Sequence, residues 1–162
     1  MFNLAALQMF ATIASKLLHG DENRQFHPNI YSGFHGGTVM VMNFYFQNLE
    51  VYQLGKEIVK DNYRITKTFP FDEKFCLINQ MNRAAISVPS NIAEGTARST
   101  KKDKVHFINM AYGSLMELIC QMEIASDLGY LNKEDRDKFV TKAKNLSVKL
   151  SNFKAAIEKS DK

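Results

Sequence analysis

The sequence predicts an all-α fold, an antiparallel up-and-down four-helix bundle, and three observations predict it. From Phe46 onward, apolar residues recur at three-to-four spacing through four successive segments. Short connections marked by Pro, Gly, Ser, Thr and Asn separate those segments, as antiparallel neighbours in a bundle require. No alternating strand pattern, Asn-Gly hairpin or internal repeat competes. With 162 residues, 45% of them hydrophobic, the chain is long enough for one domain with a core and too short for two comfortable ones. Twelve Phe, eight Met, three Pro and no Trp suit packed helices better than a turn-rich β domain.

The first helix is expected from about Asn48 to Thr66, with Val51, Leu54, Ile58 and Ile65 on one face and Tyr52, Val59 and Tyr63 beside it. Phe69-Pro70 ends it. Asp72 is placed to cap a second helix that continues, kinked at Pro89, to about Gly95. Ser99 and Thr100 offer the next N-cap, Asp103 completes a T-x-x-D box, and the third helix runs to Asp127, where Gly129 supplies a left-handed stop. Asn132 caps the fourth, whose Phe139, Ala143, Leu146, Leu150, Phe153 and Ile157 form a packing seam.

Residues 1–42 differ from this pattern and are expected to be an N-terminal extension outside the bundle domain of residues 43–162, either not native or poorly ordered. Met1 to Leu18 is apolar with helical spacing, but it falls short of the roughly 20 apolar residues of a membrane span. It also lacks a basic n-region and a small-residue cleavage site. An accessory amphipathic helix, residues appended for expression, or translation from an upstream start are the readings left; Met40 and Met42 favour the last. No membrane partner is expected.

The second helix carries two stripes. Leu77, Met81, Ala84, Ala85, Val88 and Ile92 make the apolar one, while Gln80, Arg83, Ser87, Asn91, Glu94 and Arg98 make a short-chained polar one. A solvated face is usually rich in Lys and Glu, so the polar stripe calls for a task, as does a mid-helix proline that costs about 3 kcal/mol. The third helix has an apolar arc too wide for one core. Val105, Ile108, Tyr112, Leu115, Ile119 and Met122 form one row, Phe107, Ala111, Leu118, Ala125 and Leu128 a second, and Met110, Cys120 and Ile124 widen it. Burial against another subunit explains the surplus, and cover from the N-terminal extension is the simpler alternative.

The residues exclude several chemistries. His19, His27, His35 and His106 are scattered without metal-pair spacing, so no metal and no cofactor are expected. Glu94 and Glu117 are candidate paired carboxylates, yet the Glu-x-x-His motifs of di-iron bundles are absent, and an ion pair of Glu94 with Arg83 or Arg98 is the expected role. Neither a nucleophile elbow nor a phosphate-binding loop appears, so no enzyme is expected. Cys76 and Cys120 have no pairing motif; they are expected to pack as small hydrophobes in a reducing cytoplasm. The net charge of +4 permits an anionic partner. Asn82, Arg83, Asn91, Arg98, Lys101 and Lys102, joined by Lys104, are the candidate nucleic-acid surface, and without aromatics in that stretch it favours phosphate and shape contacts over base readout. Gly95, Ser99 and Thr100 beside Arg98 offer a small anion site at the start of the third helix, with ordinary capping as its alternative.

FQNLEVYQLGKEIV at Phe46–Val59, FPFDEKFCLINQMNRAAISVPSNIAEGTARST at Phe69–Thr100 and YGSLMELICQMEIASDLGYL at Tyr112–Leu131 resemble the bacterial four-helix-bundle proteins named for 23S rRNA intervening sequences. The resemblance covers Phe46 to Ile157, and SVPSNIAEG with GSLxEL and LGYL is its specific core. It implies a homopentameric ring, and the accessory proteins of diversity-generating retroelements, which bind nucleic acid and a reverse transcriptase, are similar in fold. Residue by residue it points to Gln80, Arg83, Ser87, Pro89, Ser90, Asn91, Glu94, Gly95, Arg98, Ser114 and Glu117 as a polar stripe or subunit interface. Asn82 stands where many members have a second arginine, which thins the basic patch, and residues 1–42 have no counterpart. The family name records where some of its genes lie.

The resulting expectation is a non-catalytic homo-oligomer that binds rRNA or other nucleic acid through Arg83, Arg98, Lys101, Lys102 and Lys104. The alternative is a protein-interaction scaffold or accessory subunit for a partner such as a reverse transcriptase, with no direct nucleic-acid role.

Overall fold

The computed structural model describes residues 44–160, and the expectations for the N-terminal extension lie outside them. A 3-10 turn, Tyr45–Asn48, leads into α1, Glu50–Thr66. A second 3-10 turn, Phe71–Phe75, precedes α2, Leu77–Thr96; α3 spans Lys101–Asp127 and α4 Lys133–Lys159. Each helix packs on its neighbours in sequence and α4 closes against α1, while the diagonal pairs do not approach, which is the up-and-down four-helix bundle.

Local chemistry sets most of the boundaries. Thr100 Oγ1 accepts from the Asp103 amide at 3.0 Å, and Asn132 Oδ1 accepts from the Asp135 amide at 2.9 Å, so both caps form where expected. Gly129 has φ 76, and the Tyr130 and Gly129 amides reach back to Ala125 and Ser126 carbonyls, closing α3. The expected second helix from Asp72 is instead divided. Cys76, at φ −108 and ψ −109, breaks it, and the side chain that satisfies the first amide of α2 is Glu73, whose carboxylate accepts from Leu77 at 3.1 Å. Asn48 likewise belongs to the preceding 3-10 turn and not to α1.

The core is the meeting of four apolar stripes: Val51, Ile58 and Ile65 of α1; Met81, Ala85, Val88 and Ile92 of α2; Ile108, Leu115, Leu118 and Met122 of α3; Phe139, Ala143, Leu146 and Leu150 of α4. Pro89 is buried within α2, which runs unbroken through it. Its ring packs on α1 at Gly55, where an added Cβ would lie 3.4 Å from the proline Cβ. Ser90 and Asn91 return side-chain hydrogen bonds of 2.8 Å to the carbonyls of Ile86 and Ser87, reinforcing the turn in which proline lacks a donor. Cys76 and Cys120 are free and exposed, contrary to the expectation that they pack inside, because each sits on the outward side of its helix end or helix.

Candidate functional site: the outer face of α2 and α3

The polar stripe of α2 divides in two. Toward α3, Asn91 is 7% exposed and its Nδ2 donates to Ser87 Oγ at 2.9 Å; Ser87 Oγ lies 2.9 Å from Ser114 Oγ, and Ser114 donates to the Met110 carbonyl at 3.0 Å. Toward solvent lie Gln80, Arg83, Ser90 and Glu94. The single stripe of the sequence is therefore half an intrachain seam and half a free face.

Toward α1, Asn82 receives a 2.8 Å hydrogen bond from the Nδ2 of Asn62, which is fully buried. Asn82 and Asn91 are thus engaged inside the bundle and do not join the nucleic-acid surface for which they were candidates. At the end of α2, Gly95 is buried where a Cβ would meet Phe107 Cβ at 3.0 Å, so its smallness serves the α2–α3 approach within one chain. Arg98 pairs with Glu94, as one of the two expected partnerships, and stacks its guanidinium 4.3 Å above the Phe107 ring. Arg83 has no hydrogen bond or ion pair among the described residues and is exposed.

The candidate anion site at the start of α3 is already filled by the chain itself. Asp103 gives its amide to Thr100 and accepts the Thr100 hydroxyl at 2.7 Å, so a carboxylate occupies the positive helix end. Lys101 donates to the Ser160 carbonyl, tying α3 to the end of α4, whereas Lys102 is exposed and Lys104 half-buried. Glu117 does not meet Glu94; it accepts from Gln121 Nε2 at 3.0 Å. Among the described residues, no three His, Cys, Asp or Glu side chains cluster as metal ligands, and no helix is long and apolar enough to cross a membrane.

The surplus apolar arc of α3 is open to solvent. Ile108, Ala111, Leu115, Leu118, Met122 and Ala125 fill the core, while Met110, Cys120, Ile124 and Leu128 remain exposed beside Ser114 and Glu117. On the opposite flank of α2, Ile86, Pro89 and Ala93 join Phe46, Tyr52 and Val59 around a shallow groove of about 420 Å³ rimmed by Lys56 and Lys60. No lysine falls between Leu77 and Thr100, and neither lysine nor arginine between Val105 and Asn132, whereas α1 and α4 carry lysines along their outer surfaces.

Three polar groupings escaped the sequence analysis. Asp61 binds both Arg64 and Lys142, at 3.1 and 2.6 Å; burial acts to raise its carboxyl, but these two cations outweigh it and hold the group below the ordinary carboxylate range. Arg136 bridges Glu123 of α3 and Asp137, and the Tyr130 hydroxyl donates to Glu73 at 3.1 Å. Asp61 and Arg64 at i,i+3 was the readable helical signal; Lys142 with Asp61, Arg136 with Glu123 and Tyr130 with Glu73 join residues too far apart in sequence.

Against known proteins, the chain matches no curated protein. It is similar in fold to a crystal structure of a protein with unknown function from the S23 ribosomal protein family of Bacteroides thetaiotaomicron VPI-5482, with a TM-score of 0.60 and 17% identity over 64% of this chain and 97% of that one. The family model described as 23S rRNA-intervening sequence protein matches residues 47–152, the bundle from the start of α1 into the last turns of α4. With more than half the chain under that model and the same four-helix fold, the chain belongs to the 23S rRNA-intervening sequence protein family.

Proposed function

We propose that this protein is a non-catalytic, cytoplasmic homo-oligomer, a ring of five copies, that buries the outer face of α2 and α3 between subunits and binds RNA or DNA through lysines left outside. The observation that carries the reading is the segregation of lysine: α2 and α3 present Met110, Ile124 and Leu128 among Arg83, Glu94, Glu117 and small polar residues, without a single lysine between Leu77 and Thr100 or between Val105 and Asn132. Interface cores are depleted of Lys and enriched in Met, and solvated helix faces are the reverse. Lys101, Lys102 and Lys104 stand at the margin of that face, where several copies together multiply modest phosphate contacts.

One observation favours a second reading, a docking scaffold for a partner such as a reverse transcriptase: Arg98 and Lys101 already have intrachain partners, which thins the basic surface. The experiment is sedimentation of the full chain followed by fluorescence anisotropy with labelled structured RNA and duplex DNA across a salt series. The proposal expects a defined oligomer, affinity that falls steeply with salt, and loss of binding in Lys102→Glu/Lys104→Glu with assembly unchanged. An intact oligomer with no affinity even at low salt overturns the nucleic-acid reading and leaves the scaffold.

A further inference from the structure

We infer that the connector between α1 and α2 is a base-stacking platform for single-stranded nucleic acid, with Phe71 and Phe75 as the stacking rings and Lys74 as the phosphate contact. The inference rests on the nucleic-acid reading above and names the form of nucleic acid. FPFDEKF places three phenylalanines around one turn, and the fold treats them differently. Phe69 is buried against Tyr130, with ring centroids 5.7 Å apart. Phe71 and Phe75 are 76% and 77% exposed, the highest values of any large hydrophobic side chain among the described residues. Single exposed apolar residues need no explanation, but two full aromatic rings within five residues leave water-facing area that a ligand would remove.

The turn that carries the rings is held in place. Glu73, between them, accepts from the Leu77 amide and from the Tyr130 hydroxyl, both at 3.1 Å, which pins the turn to the start of α2 and to the segment after α3. A turn already ordered loses little backbone freedom on binding. Lys74 Nζ lies 5.4 Å from the Phe71 ring centroid and 5.5 Å from that of Phe75, so one ammonium serves both rings. That ammonium decides between occupants. An apolar protein surface covering the rings would have to desolvate it, whereas a nucleotide strand brings a base to stack and a phosphate to pair with the same charge. Lys67, exposed just beyond α1, offers a second cation, and the carboxylates of Asp72 and Glu73 on the same turn limit the local positive charge. A duplex keeps its base faces stacked on each other and has none to offer along its length.

The platform and the Lys101–Lys104 cluster occupy opposite ends of α2, whose 20 residues span about 30 Å, so substitutions at one leave the other in place. The test is anisotropy of the full-length oligomer with a labelled single-stranded oligouridylate and with an RNA duplex of equal length. Phe71→Ala/Phe75→Ala is expected to weaken the single strand about tenfold or more and leave the duplex unchanged. In a second measurement, Phe71→Trp fluorescence is quenched by the single strand and not by the duplex. Equal losses for both forms, no loss for either, or an unquenched tryptophan overturn the platform while duplex binding sensitive to Lys102→Glu/Lys104→Glu upholds the broader reading. Absence of binding to both forms by the unaltered protein overturns the two together.

Discussion

The hydroxyl oxygens of Ser87 on α2 and Ser114 on α3 lie 2.9 Å apart, the central link of a chain that runs from Asn91 through both serines to the Met110 carbonyl. Each hydroxyl has one proton, and the order Asn91 to Ser87 to Ser114 to Met110 uses every one. Small hydroxyls let the two helices approach while keeping the seam's polar atoms paired, so SVPSN and GSL residues that look like a binding stripe in sequence act first as the joint between helices.

The first prediction follows from that link. Ser87→Ala and Ser114→Ala each lower stability by about 1 kcal/mol, and the double variant by less than their sum, because the two share a bond. Urea unfolding of the four proteins reads the coupling; strictly additive losses would show that the hydroxyls do not interact.

The glycines of α1 and α2 should respond oppositely to alanine. At Gly95 the new Cβ meets Phe107 Cβ at 3.0 Å and the cost is about 1–3 kcal/mol of overpacking. At Gly55 the nearest atom is 3.4 Å away, an ordinary contact, so the better helix propensity of alanine gives up to about 1 kcal/mol of stabilisation. Thermal unfolding midpoints below and above the parent, respectively, are the expected outcome.

Acid sensitivity should trace in part to Asp61. Its folded carboxyl lies below its unfolded value because Lys142 and Arg64 outweigh burial, so the stability it contributes is complete above the ordinary carboxylate range and is lost as pH falls through the depressed folded value. Asp61→Asn removes this contribution, costing about 1 kcal/mol or less at neutral pH and flattening the acid limb of stability against pH. A limb of unchanged steepness would assign the effect to other carboxylates.

Assembly offers a matched pair of surface substitutions. Ile124 on α3 and Val148 on α4 are both exposed, 44% and 54%, but only Ile124 belongs to the lysine-free face. Ile124→Glu should weaken self-association about tenfold or more, with helicity retained, while Val148→Glu leaves the sedimentation profile unchanged. Equal effects at both positions would move the interface elsewhere.

Most of the fold was legible because the signals are local. The Thr100–Asp103 and Asn132–Asp135 caps and the Gly129 stop join residues three to five apart, and the four apolar stripes repeat within a turn. The break at Cys76 was missed since Asp72 offered an equally good cap and the deciding bond, Glu73 to Leu77, competes on the same turn. Of the site, Arg83, Gln80 and Glu94 were found on an outward face, and the Glu94–Arg98 pair could be read from its i,i+4 spacing. The exposed Phe71 and Phe75 carried no periodic signal, as they lie in a connector where apolar spacing has no meaning.

The sequence by itself determined four amphipathic helices, the caps of α3 and α4, the family and the lysine imbalance between α2–α3 and the rest, because each depends on neighbours within a few positions or on composition alone. Only the tertiary structure decided which half of the α2 polar stripe is consumed inside the chain: Ser87, Asn91 and Asn82 turn inward and Arg83 outward. The physical reason is rotational. Adjacent positions on a helix differ by about 100° in direction, so the angle at which α2 settles between α1 and α3 determines whether a polar side chain meets a partner or water, and that angle is set by packing across the whole core.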